Sequence, residues 1–398
     1  ISACLVGSEM CIRDSRQIKA ALFVPDPLPA LNAQTHSRFE PAPGIVAERV
    51  TYSTQFGMRV PAILYLPKAR SGKIPAFIVV NGHGGDKYSW YAFYSGILYA
   101  RAGAAVLTYD PAGEGERNID RKSGTRTHDK VEPPRELAQR LGGLMMTDVM
   151  QAVSYLSQRP EVDPQRIAAA GYSMGSFVLS LACAVETRLK ACVLVGGGNL
   201  DGPGGYWDKS KPMCQGIPYQ SLMFLGDRPA ALYALHAARG ATLVFNGLED
   251  STVGIPKHGH GEAFFQDLQR RVAGLRGSAE GIFEFSFVPG VGHRPFFVTK
   301  PVALWLERQL DFPHWSEESI RAMEETHISA WAKENGVEMD PLYSREHREG
   351  GARALDTGVP ALSRQDLSVF SPPEWERQKA QFIHETWLEE AKALIAPR

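Results

Sequence analysis

The sequence has few cysteines, almost no net charge and no long apolar run. Five cysteines are scattered over 398 residues, which does not suggest the disulfide framework of a small secreted domain. The formal net charge is −1 at pH 7, so there is no basic patch of the kind that nucleic acid needs and no attraction to an anionic membrane. No apolar run approaches the ~20 residues of a membrane-spanning helix. What remains is an ordinary globular composition, 44% hydrophobic and 22% charged.

The first 15 residues look foreign to the rest of the chain. The sequence begins with Ile1, and residues 1–15 show no helical or strand period. The run from Cys4 to Ser15 resembles translated sequencing-adaptor text at the ends of metagenomic reading frames. We predict that residues 1–15 are a non-native leader and exclude them from fold reasoning. Any native signal peptide would then be missing, so secreted, periplasmic and cytoplasmic locations all stay open.

Three cysteines lie beyond this leader. Cys192 falls in an apolar strand and Cys183 in a predicted helix, and both are interpreted as buried small hydrophobic residues. With Cys214 they are too scattered to suggest a disulfide framework.

Predicted strands alternate with predicted helices, which favours a mostly parallel sheet with helices on both faces. The first two strands read as an antiparallel pair, and the last strand is followed by a more highly charged segment rich in helical pattern. We predict one α/β domain over residues 16–312, with an irregular aromatic insertion at 197–229, and a helical extension over 313–398. The eight predicted strands are 45–52, 58–66, 76–81, 104–110, 166–170, 189–196, 241–247 and 282–288.

The pentapeptide Gly-Tyr-Ser-Met-Gly at 171–175 follows a short apolar strand and precedes a helix. A serine at such a turn is pushed out of the sheet edge, and the helix N-terminus directs backbone N–H groups at developing negative charge. Glycines at both ends let strand and helix pack closely. This context predicts that Ser173 is a nucleophile.

An acid and a histidine follow in the order that such a serine requires. Asp250 comes just after the strand 241–247, and His293 comes just after the strand 282–288. Glu249 is the alternative acid. We predict that His293 takes the proton of Ser173 while Asp250 fixes the histidine tautomer and stabilises its cation.

An oxyanion hole is predicted from the glycine-rich loop after the strand 76–81. The N–H of Met174 and one N–H from His83, Gly84 or Gly85 would hold the negatively charged oxygen. His83 has no second metal ligand at useful spacing, and His258 and His260 read as surface polar residues. We therefore expect no metal and no cofactor.

Four residues are candidates for substrate contact. Trp90 follows the glycine-rich loop on an aromatic helix whose stripe also fits a core position, and Arg117 lies on a long polar loop that reaches about residue 132. Tyr206 and Trp207 lie in the insertion at 197–229, where a pocket lining and plain connecting structure are both compatible with the sequence.

These residues together resemble the α/β-hydrolase superfamily, from about Val46 to Leu310. Its acetyl xylan esterase and dienelactone-hydrolase-like branch, which is bacterial, is suggested by three motifs: Asn-Gly-His-Gly-Gly at 81–85, Tyr-Asp-Pro-Ala-Gly-Glu-Gly-Glu-Arg at 109–117 and Arg-Pro-Glu-Val-Asp at 159–163. The resemblance implies an α/β-hydrolase fold and a serine carboxylic ester hydrolase that acts on short-acyl esters of a sugar or a small alcohol.

Other functions stay open on the sequence. A lactone or dienelactone hydrolase would fit the same branch, although dienelactone hydrolases use cysteine where this chain has Ser173. A prolyl-oligopeptidase-like peptidase shares the triad, but such enzymes usually carry a large N-terminal cap, and about 30 usable residues precede the first strand. A non-catalytic binding protein would be expected to lack a triad member. The extension at 313–398 could pack on the hydrolase or form a homodimer contact.

Overall fold

A mixed sheet forms the centre of the computed structural model, which describes residues 9–130, 134–198, 213–250, 252, 261–339 and 353–395. Nine strands lie in the order β1-β2-β3-β5-β4-β6-β7-β8-β9. The pairs β1–β2, β2–β3 and β3–β5 are antiparallel, and the remaining pairs are parallel. The strands are β1 Gln34–Ala42, β2 Ile45–Ser53, β3 Arg59–Pro67, β4 Ile74–Val80, β5 Ala105–Tyr109, β6 Val162–Tyr172, β7 Leu189–Val195, β8 Ala241–Gly247 and β9 Phe283–Val288.

The sheet has one strand more than the eight that were predicted. The additional strand, β1, pairs antiparallel with β2 at one edge. Its sequence, Gln-Thr-His-Ser-Arg-Phe-Glu-Pro-Ala, is mostly polar and its first five residues are exposed. An edge strand of this kind has no buried face, so it shows no alternation of apolar and polar residues by which to recognise it.

Helices cover both faces of the sheet, as predicted. One layer packs α3, α4, α6 and α7 against β4, β6, β7 and β8, and the other packs α2 and α8 against the opposite face. The central strand β4 is buried at all seven positions, which is why it reads as a continuous apolar run. The helices up to the end of the sheet are α1 Glu9–Ala21, α2 Trp90–Arg101, α3 Arg135–Ser157, α4 Met174–Val185, α5 Met213–Gln220, α6 Arg228–Ala237, α7 Gly261–Arg276 and α8 Lys300–Leu310.

The C-terminal extension packs on the α/β domain. Its Trp331 packs on the aromatic side chains of Trp90, Phe93 and Tyr94 on α2. Every residue of α2 from Trp90 to Ala100 is buried, because the sheet covers its inner face and the extension covers its outer face. The homodimer contact that was suggested for the extension stays a prediction. The elements of the extension are α9 Glu317–Ala322, β10 Glu325–His327, α10 Ile328–Glu334, β11 Arg353–Leu355, α11 Arg364–Leu367, α12 Pro372–Gln378 and α13 His384–Ile395.

Part of the predicted leader is helical. Helix α1 begins at Glu9, and its C-terminal half contacts the core through Ile18, which is fully buried with Leu22. The helix thus includes residues on both sides of position 15. Whether residues 1–15 are native stays a prediction.

Cys183 and Cys192 are buried, as predicted, but the interpretation that they suggest no disulfide is wrong. The two cysteines form a disulfide between α4 and β7. They are nine residues apart in the chain, and only the antiparallel return of the strand beside the helix brings them together. Cys214 is a buried free thiol.

Among the described residues, no helix is both long enough and apolar enough to cross a bilayer.

Candidate active site

Ser173 occupies a strained turn between β6 and α4. Its backbone angles are φ 54° and ψ −117°, a left-handed region that a serine adopts at a cost. Position 175 shows why the motif ends in glycine: a Cβ there would lie 2.2 Å from the carbonyl oxygen of Val80. The turn therefore projects the serine at the carboxyl edge of the sheet, and the side chain is half-buried.

Asp250 and His293 form a buried pair at the same edge. Asp250 follows β8 and His293 follows β9, and these strands are parallel neighbours. The Nδ1 atom of His293 lies 2.7 Å from Oδ2 of Asp250, and the two residues are only 3% and 2% exposed. The backbone N–H of Thr252 donates to the other carboxylate oxygen of Asp250 at 2.9 Å. The acid is thus held at both oxygens.

The segment after β7 connects this pair with the serine. A Cβ on Gly196 would lie 2.9 Å from Cε1 of His293, and one on the next residue, Gly197, would lie 2.8 Å from the carbonyl oxygen of Ser173. The ring of His293 also packs on Tyr172, with 5.0 Å between ring centroids. The backbone of two adjacent residues therefore lies close to the ring of the predicted base and to the backbone of the predicted nucleophile, at the same edge of the sheet.

The predicted oxyanion hole is only partly consistent with the backbone. As the first residue of α4, Met174 has an N–H without an intrahelical acceptor. A Cβ on Gly82 would lie 3.0 Å from the Cβ of Ser173, so the glycine-rich loop borders the nucleophile. The N–H of Gly85, however, donates to the carbonyl oxygen of Gly82 at 3.1 Å. Donation from the N–H of His83 or Gly84 stays a prediction.

A buried cluster of charged residues lies next to the glycine-rich loop. Lys87, Asp110 and Glu116 are all fully buried, and the ammonium group of Lys87 contacts both carboxylates, with 2.9 Å to Glu116 Oε2. Burial alone would lower the pKa of Lys87, but Asp110 and Glu116 outweigh it and keep the pKa above its ordinary value. Burial raises the pKa of the Asp110 carboxyl. The cluster connects the segment after β4 to the segment after β5.

Glu116 also ties the C-terminal extension to this cluster. Its carboxylate accepts hydrogen bonds from the N–H groups of Val369 and Phe370 at 2.9 and 3.0 Å. Its carbonyl oxygen accepts one from the indole of Trp375 at 2.9 Å. Sequence reasoning missed Lys87 and Glu116, because nothing in their spacing indicates that they meet.

Two further carboxyls near the loop have raised pKa values. Burial raises the pKa of Glu114 to about 7, although the N–H groups of Thr125 and Arg126 bind its carboxylate. Burial, and then the charge of Asp110, raise the pKa of Asp86 to about 6. Both groups order the 113–126 loop.

Arg117 does not lie on a solvent-exposed loop, as the polar sequence around it suggested. It is 1% exposed, and its guanidinium pairs with the buried Asp148 on α3 and donates to the carbonyl oxygen of Asp110. An isolated charge at this depth would be costly, which accounts for the pairing. The geometry favours a supporting role for Arg117 over substrate contact.

The structure places Trp90 in the core. The side chain is 5% exposed and packs on Tyr91, Tyr94 and Trp331. This is the packing position that its aromatic stripe also allowed. Tyr206 and Trp207 lie outside the described residues, as do His258 and His260. Of the insertion at 197–229, the described part includes α5 and a turn at Met223–Leu225, where Met223 and Phe224 are 58% and 47% exposed.

The expectation that His83 has no potential metal ligand beside it is wrong. His128, Asp129 and Cys214 come within reach of its imidazole. They are missed in the sequence because they belong to distant segments, and sequence spacing reveals only ligands that share a local turn or helix face.

Comparison with known proteins gives matches over two overlapping parts of the chain. Residues 32–195 match the model of the acetyl xylan esterase family, and residues 134–318 match that of the prolyl oligopeptidase family. An uncharacterized protein of Pseudomonas aeruginosa, PA2218, is 31% identical over 36% of this chain, and the thiohydrolase apmlB of Arthrinium phaeospermum is 27% identical over 38% of it. The matches span only 35% and 43% of those two proteins.

Solved structures share the fold at low sequence identity. The methylesterase BT1017 superposes with a TM-score of 0.62 at 18% identity, covering 97% of this chain and 75% of that one. An acetyl xylan esterase from Paenibacillus sp. R4 gives a TM-score of 0.51 at 18% identity, covering 77% of this chain and 96% of that one. The chain therefore has the α/β-hydrolase fold, and it is similar to the acetyl xylan esterase and dienelactone-hydrolase-like branch of that superfamily.

Proposed function

We propose that this chain is a serine carboxylic ester hydrolase that acts through Ser173, His293 and Asp250. The observation that carries the proposal is the 2.7 Å contact between His293 Nδ1 and Asp250 Oδ2 at the same sheet edge as the strained Ser173 turn. A core histidine needs no acid partner, and an ordinary strand-to-helix connection needs no positive φ. Their coincidence at one sheet edge supports a catalytic site.

The pair determines which histidine nitrogen acts as the base. An ionised carboxylate only accepts hydrogen bonds, so Nδ1 of His293 carries the proton that faces Asp250. Nε2 is then the nitrogen with the lone pair. It takes the hydroxyl proton of Ser173 as the oxygen attacks the ester carbonyl, and Asp250 stabilises the imidazolium that results.

The remaining steps use backbone groups. The N–H of Met174 and one N–H at His83 or Gly84 would bind the oxyanion of the tetrahedral intermediate. Collapse of the intermediate expels the alcohol, which takes the proton from His293 and leaves an acyl-serine. Water, activated by the same imidazole, then hydrolyses the acyl-enzyme and restores the serine hydroxyl.

A fluorophosphonate probe tests the assignment of the nucleophile directly. The probe should label the purified chain once, and mass spectrometry of the peptides should place the label on Ser173. The rate of p-nitrophenyl acetate hydrolysis should decrease in proportion to the fraction of the chain that is labelled. Labelling at another serine, with activity lost, would reassign the nucleophile.

The acid is tested by two neutral substitutions at adjacent positions. Asp250→Asn should lower kcat by about 10⁴-fold, because the amide no longer holds the histidine in the required tautomer. Glu249→Gln is the matched control: Glu249 is exposed, and we expect less than a 3-fold change. Steady-state rates on p-nitrophenyl acetate decide between them. The reverse ranking would transfer the role to Glu249.

We further propose that the substrate is a short-acyl ester of a sugar or small alcohol. The match of residues 32–195 to the acetyl xylan esterase family supports this. A short acyl group buries little area, at about 0.8 kcal/mol per CH₂ group, so recognition would depend on the alcohol.

Acyl-chain length provides the measurement for this substrate class. The ratio kcat/KM should be highest for p-nitrophenyl acetate, fall for the butyrate and be at least 10-fold lower for the octanoate and palmitate. Acetylated xylan and a methyl ester of a polysaccharide then separate acyl from alcohol recognition. A maximum at octanoate would require an apolar tunnel and would exclude the sugar-ester proposal.

The match of residues 134–318 to the prolyl oligopeptidase family favours one second candidate, a peptidase. A peptidase would cleave a proline-linked chromogenic amide at a rate comparable to its ester turnover. The proposed esterase would hydrolyse the ester and leave the amide intact. Lactone substrates in the same assay address the lactonase alternative, and absence of turnover on every substrate would indicate a binding protein.

A further inference from the structure

Four side chains that can bind a metal meet beside the glycine-rich loop. They are His83, His128, Asp129 and Cys214, and their ligand atoms all lie within 4.8 Å of one another. Three separate segments supply them: the loop after β4, the long connection after β5, and helix α5. Chance clusters of exposed acids are common, but this one combines two imidazoles and a thiol, of which Cys214 and His128 are fully buried.

The spacing of the four atoms fits one tetrahedral ion. Zinc bonds of about 2.0–2.1 Å to nitrogen or oxygen and about 2.3 Å to sulfur place tetrahedral ligand atoms roughly 3.3–3.6 Å apart. Nε2 of His83 lies 2.9 Å from Oδ1 of Asp129 and 3.2 Å from Sγ of Cys214. Sγ of Cys214 lies 2.8 Å from Oδ1 of Asp129. Nε2 of His128 lies 3.7 Å from the same Oδ1 atom. Each of these four separations differs from the tetrahedral value by less than 1 Å.

His128 already has the orientation of a metal ligand. Its Nδ1 lies 3.1 Å from the carbonyl oxygen of Ala112 and must donate to it, so Nε2 carries a lone pair. Within the part of the chain that is described, this buried Nε2 has no hydrogen-bond donor. A lone pair aimed at a carboxylate and left unsatisfied is unfavourable, and a cation between the two groups would satisfy both.

The outer contacts also match those of a metal site. Metal-bound histidines usually donate their second ring N–H to a carbonyl or carboxylate, as His128 does to Ala112. The second oxygen of Asp129 is held by Arg126 at 2.6 Å. The rings of His83 and His128 stack nearly parallel, with their centroids 5.3 Å apart. His83 and Asp129 are each 14% exposed, so an ion has a path from solvent.

We propose that these four residues bind one Zn²⁺ ion. The set of two imidazoles, one thiolate and one carboxylate suits zinc, and the two anionic ligands neutralise its charge. Binding converts the Cys214 thiol to the thiolate and releases one proton to solvent. Four protein ligands fill a tetrahedral shell, so the ion has a structural role. It fixes His83, and with it the loop beside Ser173, to the connection after β5 and to α5.

Metal content and cobalt spectroscopy test the site without reference to activity. The metal-free chain, prepared with a chelator, is titrated with Zn²⁺ and separately with Co²⁺. We expect one ion per chain, an intense tetrahedral Co²⁺ spectrum with a thiolate-to-cobalt charge-transfer band, and a higher midpoint of thermal unfolding with Zn²⁺. Less than a tenth of an equivalent of bound metal would overturn the proposal.

Variants locate the ion. Cys214→Ser should abolish the charge-transfer band, and Asp129→Asn should weaken binding by at least the 10-fold seen when outer contacts of metal sites are lost. His314→Gln alters an exposed histidine far from the cluster and should bind zinc as the parent does. If Cys214→Ser and Asp129→Asn both bind zinc as tightly as the parent, the metal lies elsewhere and the proposal is wrong. Circular dichroism confirms that each variant is folded.

Discussion

Ser173→Ala should lower kcat for p-nitrophenyl acetate by about 10⁴- to 10⁶-fold while the protein stays folded. Members of a cooperating triad act as a unit, so the loss of one removes nearly all of the covalent route. Alanine adopts positive φ no better than serine, and among the described residues the Ser173 hydroxyl makes no capping hydrogen bond to the turn, so stability should change little. The thermal midpoint and the steady-state rate of the purified variant are the measurements.

Ser180→Ala provides the control for this experiment. Ser180 lies on the same helix α4 and donates its hydroxyl hydrogen to the carbonyl oxygen of Phe177 at 2.7 Å. We expect its rate to be within a factor of 2 of the parent. A Ser173→Ala protein that retained near-parental turnover would remove the serine from the mechanism, whatever the control showed.

Lys87→Met should cause the largest loss of stability of any single substitution considered. The methionine retains most of the side-chain volume but leaves the buried carboxylates of Asp110 and Glu116 without their shared cation. Breaking a buried pair by removing one partner costs about 3–5 kcal/mol. Urea unfolding should show this decrease in the free energy of unfolding, and the variant should be hard to express.

Two companion variants keep the result interpretable if Lys87→Met does not fold. Glu116→Gln removes one of the two charges and leaves Lys87 paired with Asp110, so we expect a smaller loss. Lys122→Met disrupts an exposed pair with Asp120 and should change stability little. A Lys87→Met protein as stable as the parent would mean that the three groups do not form the cluster of charged residues described above.

The sequence predicted those parts of the molecule that depend on local pattern. The central strands are buried on both faces, so each is an apolar run between turns, and their order along the chain gives the α/β architecture. Ser173, Asp250 and His293 each follow a strand end, and parallel strands bring such positions to one edge of the sheet. The proximity of Asp250 to His293 followed from that rule alone.

The sequence could not predict contacts between distant segments. Arg117 sits among polar residues, so its burial becomes visible only when α3 brings Asp148 to it. The metal-ligating cluster joins positions 83, 128–129 and 214, and no periodicity relates them. The disulfide was missed for a related reason. Cys183 and Cys192 each lie in an apolar segment, and such a segment is as compatible with a free thiol as with a disulfide.

Helix α2 carries information that is useful beyond this molecule. A helix on the outside of an α/β sheet normally keeps one polar face toward water. This one has aromatic residues all round, because Trp331 of the extension covers its outer face. In a hydrolase without the extension, positions 90, 93 and 94 would face solvent and should be polar. Among related sequences, the polarity of these three positions would therefore indicate which chains carry the C-terminal cover. Polar residues there would indicate a chain in which this helix faces solvent.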